Sequence, residues 1–136
     1  MKNRGRWYSN KSKHDNHATP QRVKDFLKEN CGINWNKCFD PCPLNAKRDG
    51  LKIRWGKRNV LNPPYSEIEK FAEKANQEVM KGKIVYFLFP LDKTDKPFFH
   101  KYLVRYQDRF IFIPFRIKFV GNDQPAFQTH VLITMW

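Results

Sequence analysis

The chain has 136 residues, the length of one domain, and 40% of them are hydrophobic, enough for a modest core. Its 26 basic side chains against 13 acidic ones leave a formal net charge of +13, which suits a polyanionic partner. No apolar run approaches the roughly 20 residues of a membrane span, and the basic, polar amino-terminal segment does not read as a signal peptide.

Three cysteines, Cys31, Cys38 and Cys42, are an odd number for a disulfide scaffold. They point to a reducing compartment, so a cytoplasmic location is expected. His14 and His17 lie upstream of the Cys38–Cys42 pair, but no second Cys or His pair completes a tetrahedral set, and no metal is expected.

In chain order, residues 1–16 read as a flexible basic arm. Arg4, Arg6, Lys11 and Lys13 surround Trp7 and Tyr8, a mixture suited to nucleic-acid backbones and stacking, or simply to a solvated tail. Thr19 and Pro20 predict a helix start, with Thr19 as N-cap and Pro20 at the first helical position. Val23, Phe26 and Leu27 give that helix its apolar stripe, and Gly32 ends it. A short strand is expected at Cys38 and Phe39, stopped at Asp40-Pro41-Cys42-Pro43. Asp40 at a strand's carboxyl end can bind an amine or hydroxyl, or cap the next turn. Asp49-Gly50 is a turn signal.

A second apolar run stops at Asn62-Pro63-Pro64-Tyr65. Two prolines remove two donors and fix two φ angles, which predicts a rigid, exposed turn at a strand's carboxyl end. Open α/β sheets bind ligands there. The Asn62 amide oxygen and a proline carbonyl can grip both hydrogens of a flat –NH2 group, pushing its nitrogen towards a nucleophilic lone pair. Tyr65 can stack on the ring that carries the amine. Alternatively, the tetrapeptide is only a turn.

Ser66 and Glu69 predict a capping box, and Ile68, Phe71, Ala72, Ala75 and Val79 one helix face. The unbroken apolar stretch Ile84 to Phe89 predicts a strand buried on both faces, hence a mostly parallel sheet with helices on each side. A short helix from Pro97 to about Tyr106, strands at Arg109 to Ile113 and Phe115 to Val120, and a final strand from Val131 complete the reading. The expected fold is a single three-layer α/β domain with an antiparallel element near the carboxyl end.

The order of these pieces resembles the small phage-type, Dam-like DNA adenine-N6 methyltransferases. The resemblance runs from about Thr19 onward. It is carried by Thr19-Pro20, Phe39-Asp40-Pro41-Cys42-Pro43-Leu44-Asn45-Ala46, Asp49-Gly50-Leu51 before Trp55, Asn62-Pro63-Pro64-Tyr65, and Arg116-Ile117-Lys118-Phe119. It implies a methyltransferase domain over residues 17–136, with an abbreviated Rossmann-like fold and S-adenosylmethionine as cofactor. Thr19 and Pro20 would border the methionine end of the cofactor. Asp40 and Pro41 would stand in the first cofactor motif, and Asp49 would approach the cofactor's adenine ring. Asn62, Pro63, Pro64 and Tyr65 would hold the target base, flipped or single-stranded. Arg116 and Lys118 would sit near the active face or the DNA backbone. The partner would be DNA, with no membrane, and the location the interior of a host cell if the protein is phage or viral.

The chain departs from the broader pattern in two ways. No Gly-x-Gly loop follows the first strand, and only Leu44 to Arg58 separate that element from the second motif. No separate target-recognition domain fits, so base-sequence specificity is expected either to be low or to require another subunit, in a homodimer or with an accessory subunit. Asn-Pro-Pro-Tyr equally suits amine methylation in RNA or on protein glutamine, and the missing glycine loop suits a non-catalytic nucleic-acid-binding module on the same scaffold.

Overall fold

The computed structural model describes residues 18–118 and 128–136. The basic arm, with Arg4, Arg6, Lys11 and Lys13, lies outside them. The first helix, α1 (Gln21–Cys31), forms where the apolar stripe predicts, burying Val23 and Leu27 completely. It ends at Gly32, whose φ of 70° carries no Cβ penalty, and the Ile33 N–H returns to the Leu27 carbonyl. Its N-cap is Pro20 rather than Thr19. The Thr19 hydroxyl is engaged elsewhere, by Asn62.

The central unit is strand, helix, strand: β1 (Arg58–Leu61), α2 (Ile68–Met80) and β2 (Ile84–Pro90). β1 and β2 run parallel, with Val60 opposite Tyr86. A tight turn at Tyr65–Glu67 precedes α2, so Glu67 takes the N-cap position and the expected Ser66 capping box does not start the helix. The physical reason is the Pro64 carbonyl, which accepts the Glu67 N–H and tightens the entry by one turn.

α3 (Pro97–Tyr102) is followed by β3 (Phe110–Phe112) and β4 (His130–Met135). The strand order is β1-β2-β4-β3, with β4 antiparallel to both its neighbours. The sheet is therefore mostly antiparallel, which corrects the expected mostly parallel one. A strand buried on both faces needs helices above and below it but is indifferent to the direction of its neighbours. A parallel neighbour demands a crossover, usually helical, and among the described residues only the β1–β2 connection carries a helix as long as α2.

Two expected strands shrink to single bridges. Phe39 pairs in parallel with Asn59, bonding Arg58 and Val60, before Pro41 ends the pairing. Ile117 pairs antiparallel with Gln128. Strand alternation then divides the core into two halves, one on each face of the sheet. Val85, Phe87 and Phe89 of β2 pack with Phe71 of α2 and Phe99 of α3, while Leu88 packs with Val23 and Leu27 of α1. None of the described helices is long and apolar enough to cross a membrane.

Candidate active site

The Asn62-Pro63-Pro64-Tyr65 segment leaves the carboxyl end of β1 as predicted, but Asn62, Pro63 and Pro64 are buried rather than exposed. Prolines tolerate this because they carry no N–H to leave unsatisfied. The Pro64 carbonyl accepts the Glu67 N–H, whereas the Pro63 carbonyl accepts no backbone N–H from the described residues. Asn62 donates through Nδ2 to Thr19 Oγ1 at 3.0 Å. Its Oδ1 is buried and has no hydrogen-bond partner among the described residues. An orphaned buried acceptor costs about 1–3 kcal/mol, and a ligand donor would remove that cost.

Asn62 lines a cavity of about 170 Å³ together with Thr19, Lys24, Asp40, Cys42 and Leu44. The Phe39 bridge holds Asp40 at the carboxyl edge of the sheet, beside β1. Its Oδ1 accepts the Cys42 N–H at 3.0 Å, closing an Asx turn. Burial pushes the Asp40 carboxyl up to about 6, opposed by the Cys42 N–H and the charge of Lys24. A cation entering the cavity would restore the ionised form. The buried Cys42 thiol is also pushed up, by burial and then by the charge of Asp40, so it offers no thiolate nucleophile.

On the far side of the prolines Tyr65 lines a second cavity, about 340 Å³, with Lys93, Lys96 and Phe98. The Lys93 ammonium stands 5.5 Å from the Tyr65 ring centroid. The Tyr65 hydroxyl is fixed from β4 and its approach. It donates to Gln128 Oε1 at 2.9 Å and lies 3.1 Å from Nε2 of the buried His130. A neighbouring hollow of about 240 Å³ is lined by Asp92, Arg116, Gln128 and Thr129.

The fold thus brings Thr19, Asp40 and Asn62 together, with Tyr65 next to them and the exposed Arg116 one hollow further on. Pro20 and Pro41 adjoin the first cavity without lining it. Asp49 is apart from it. Its Oδ1 accepts the Leu51 N–H at 3.0 Å, and its carbonyl accepts the Lys52 N–H. The adjacent Gly50 is required sterically, since a Cβ there would stand 2.0 Å from the Pro41 carbonyl oxygen. Asp49-Gly50 therefore packs under the Asp40-Pro41 corner. Lys118 is exposed.

A family model described as DNA N-6-adenine-methyltransferase (Dam) matches residues 8–130. The chain belongs to the Dam family. No curated protein and no solved structure matches it. The match spans both cavities of the Dam-family chain and every element that lines them.

Sequence reasoning missed Lys93, Gln128 and His130. Lys93 had an available signal, because it follows the carboxyl end of β2, beside the end of β1 where Asn62 sits. Gln128 and His130 had none. They lie 63 and 65 residues from Tyr65, and only the antiparallel placement of β4 brings them near.

Proposed function

We propose that this Dam-family chain transfers the methyl group of S-adenosylmethionine to the exocyclic N6 amine of adenine in DNA. One observation carries the reading: the buried, unpartnered Asn62 Oδ1 at the carboxyl end of β1, in a cavity shared with Asp40 and Thr19. The parallel β1-α2-β2 unit, with both cavities at its carboxyl edge, supports an abbreviated Rossmann-like fold.

The donor set fits the cofactor's amino-acid end. Asp40 offers a carboxylate to a cationic amine, and Thr19 borders it. At about 170 Å³ the cavity is smaller than the 300 Å³ or more of whole small-molecule sites, so it holds one end of such a ligand. Pro20, Pro41 and Asp49 adjoin or support this region without lining it. When bound, S-adenosylmethionine supplies a methyl group activated by its sulfonium.

The chain's own residues do the rest. Asn62 Oδ1 and the Pro63 carbonyl accept the two amine hydrogens, concentrating the lone pair on nitrogen. Pro64 fixes the turn and Tyr65 stacks on the adenine, which has to be flipped out of the duplex or single-stranded. The second cavity, about 340 Å³, has room for a base. As the amine gains positive charge, the two acceptors bind it more strongly, which lowers the barrier. Water takes the released proton. Arg116 and Lys118, together with Arg4, Arg6, Lys11 and Lys13, supply cations for the phosphates.

The test is transfer of labelled methyl groups from S-adenosylmethionine to DNA, RNA and protein, followed by nucleoside analysis. Label at N6 of adenine in DNA is expected, and Asn62→Ala should lower its rate by roughly 10²–10³-fold. Label in RNA or protein alone would move the substrate, and no transfer to any of them would remove the catalytic reading.

A further inference from the structure

Near the carboxyl end of α2, Glu78 is buried to 1% side-chain exposure, and three ammonium groups close on it. Lys74 lies at 3.0 Å, Lys81 at 3.3 Å and Lys83 at 2.5 Å. Lys83 also donates to the Trp55 carbonyl, tying this cluster to the segment before β1. Lys52 and Arg54 complete the wall of a hollow of about 440 Å³. Both are exposed, and neither is paired with a carboxylate among the described residues.

The lining carries five cations and one carboxylate, a net charge of +4 (5 − 1). One carboxylate needs one cation, so the surplus repels itself and lowers stability unless an anion joins it. Glu78 fixes three of the ammonium groups in advance, so a ligand would find them already ordered. Arg54 adds a fork suited to two phosphate oxygens.

The hollow lies at the amino ends of β1 and β2, whereas Asn62 leaves the carboxyl end of β1. β1 has four residues, about 13 Å of strand, so one nucleic-acid molecule can touch both ends. We propose that this hollow is a second DNA-backbone site, binding phosphodiester groups away from the target base. The proposal rests on DNA being the partner, but not on methyl transfer.

The experiment measures duplex affinity against salt for the full chain, for Lys52→Gln/Arg54→Gln and for Asn62→Ala. Melting temperatures check that each variant is folded. The double variant should bind about tenfold more weakly at low salt. Its log–log slope should fall by about two, since each phosphate that a cation neutralises contributes about 0.9. Asn62→Ala should keep the full slope while losing methyl transfer. A folded double variant with unchanged affinity and slope would overturn the proposal. So would a poly-glutamate peptide that displaces duplex as well as inorganic polyphosphate does, since the hollow would then be a dock for acidic protein. If the double variant loses slope while the wild-type protein methylates nothing, the catalytic reading sinks and this one stands.

Discussion

The side-chain nitrogen of Asn62 rests 3.0 Å from the hydroxyl of Thr19, a residue 43 positions earlier. With the nitrogen held there, the amide cannot flip, and its buried oxygen stays the unpartnered acceptor. Thr19→Val keeps the volume but frees the amide to rotate, and turnover should fall roughly tenfold, about 1.4 kcal/mol of barrier. Asn62→Ala should cost roughly 10²–10³-fold, comparable to loss of one preorganised group at a developing charge. Asn62→Asp keeps an acceptor and should retain partial activity. Single-turnover rates measure all three, and full activity in Asn62→Ala would reduce the motif to a turn.

Tyr65→Phe looks mild if stacking is the whole role of that ring. The hydroxyl, however, meets Gln128 and the buried His130. Removing it should cost about 1–3 kcal/mol of stability through the groups left behind. Tyr65→Ala should lose the stacking as well, so the split is read from melting temperature for Phe and from DNA turnover for Ala. A Phe variant that melts with the wild type would mean the hydroxyl's hydrogen bonds are dispensable.

Asp40 makes stability depend on pH in an unusual direction. Burial raises its folded value to about 6 from an ordinary 3.8. Between these values the folded protein keeps a proton that the unfolded chain has released, so this contribution is full below about pH 4 and lost as pH rises through 6. The loss is on the order of 3 kcal/mol. Asp40→Asn should therefore stabilise the ligand-free protein at pH 7 while weakening S-adenosylmethionine, whose cationic amine selects the carboxylate. Denaturant titrations across pH 4 to 7 and calorimetry with the cofactor measure the two effects. Unchanged affinity would leave Asp40 as the cap of its Asx turn only.

Glu78 titrates in the opposite sense. Burial would raise its carboxyl, but hydrogen bonds from Lys83, Lys74 and Lys81 outweigh it and hold the group down at about 2, below its ordinary 4.5. Its contribution is present above about pH 4.5 and lost as pH falls through 2. Glu78→Gln should cost about 1–2 kcal/mol at neutral pH, because it leaves three clustered lysines uncompensated while solvent around the exposed Lys81 screens part of the effect. A melting curve that matches the wild type would show that the cluster relaxes into solvent.

β2 was legible because six apolar residues in a row leave little other reading, and Asn62 was legible because two prolines isolate it. Sheet direction was not, since Ile84 to Phe89 would be equally apolar beside a parallel or an antiparallel neighbour. Asp49-Gly50 was legible as a turn, but the close approach of Gly50 to the Pro41 carbonyl depends on tertiary packing. The Tyr65–His130 and Asn62–Thr19 pairs span 65 and 43 residues, and no local pattern encodes pairings of that range.

The place of β4 has a kinetic consequence. Its six residues, all buried, lie between β2 and β3, and β2 pairs with a segment 40 to 50 residues further along, from Pro90 with His130 to Val85 with Met135. Closure at that separation must overcome a large loop entropy before any pairing rewards it, so this step should be slow. A nascent chain emerging from the ribosome can form the β1-α2-β2 unit early, but β2 then waits with one hydrogen-bonding edge bare. A bare apolar edge recruits other strands. Until residues 130–135 arrive, the half-made protein is expected to be prone to aggregate, which light scattering of a chain truncated before residue 130 would measure.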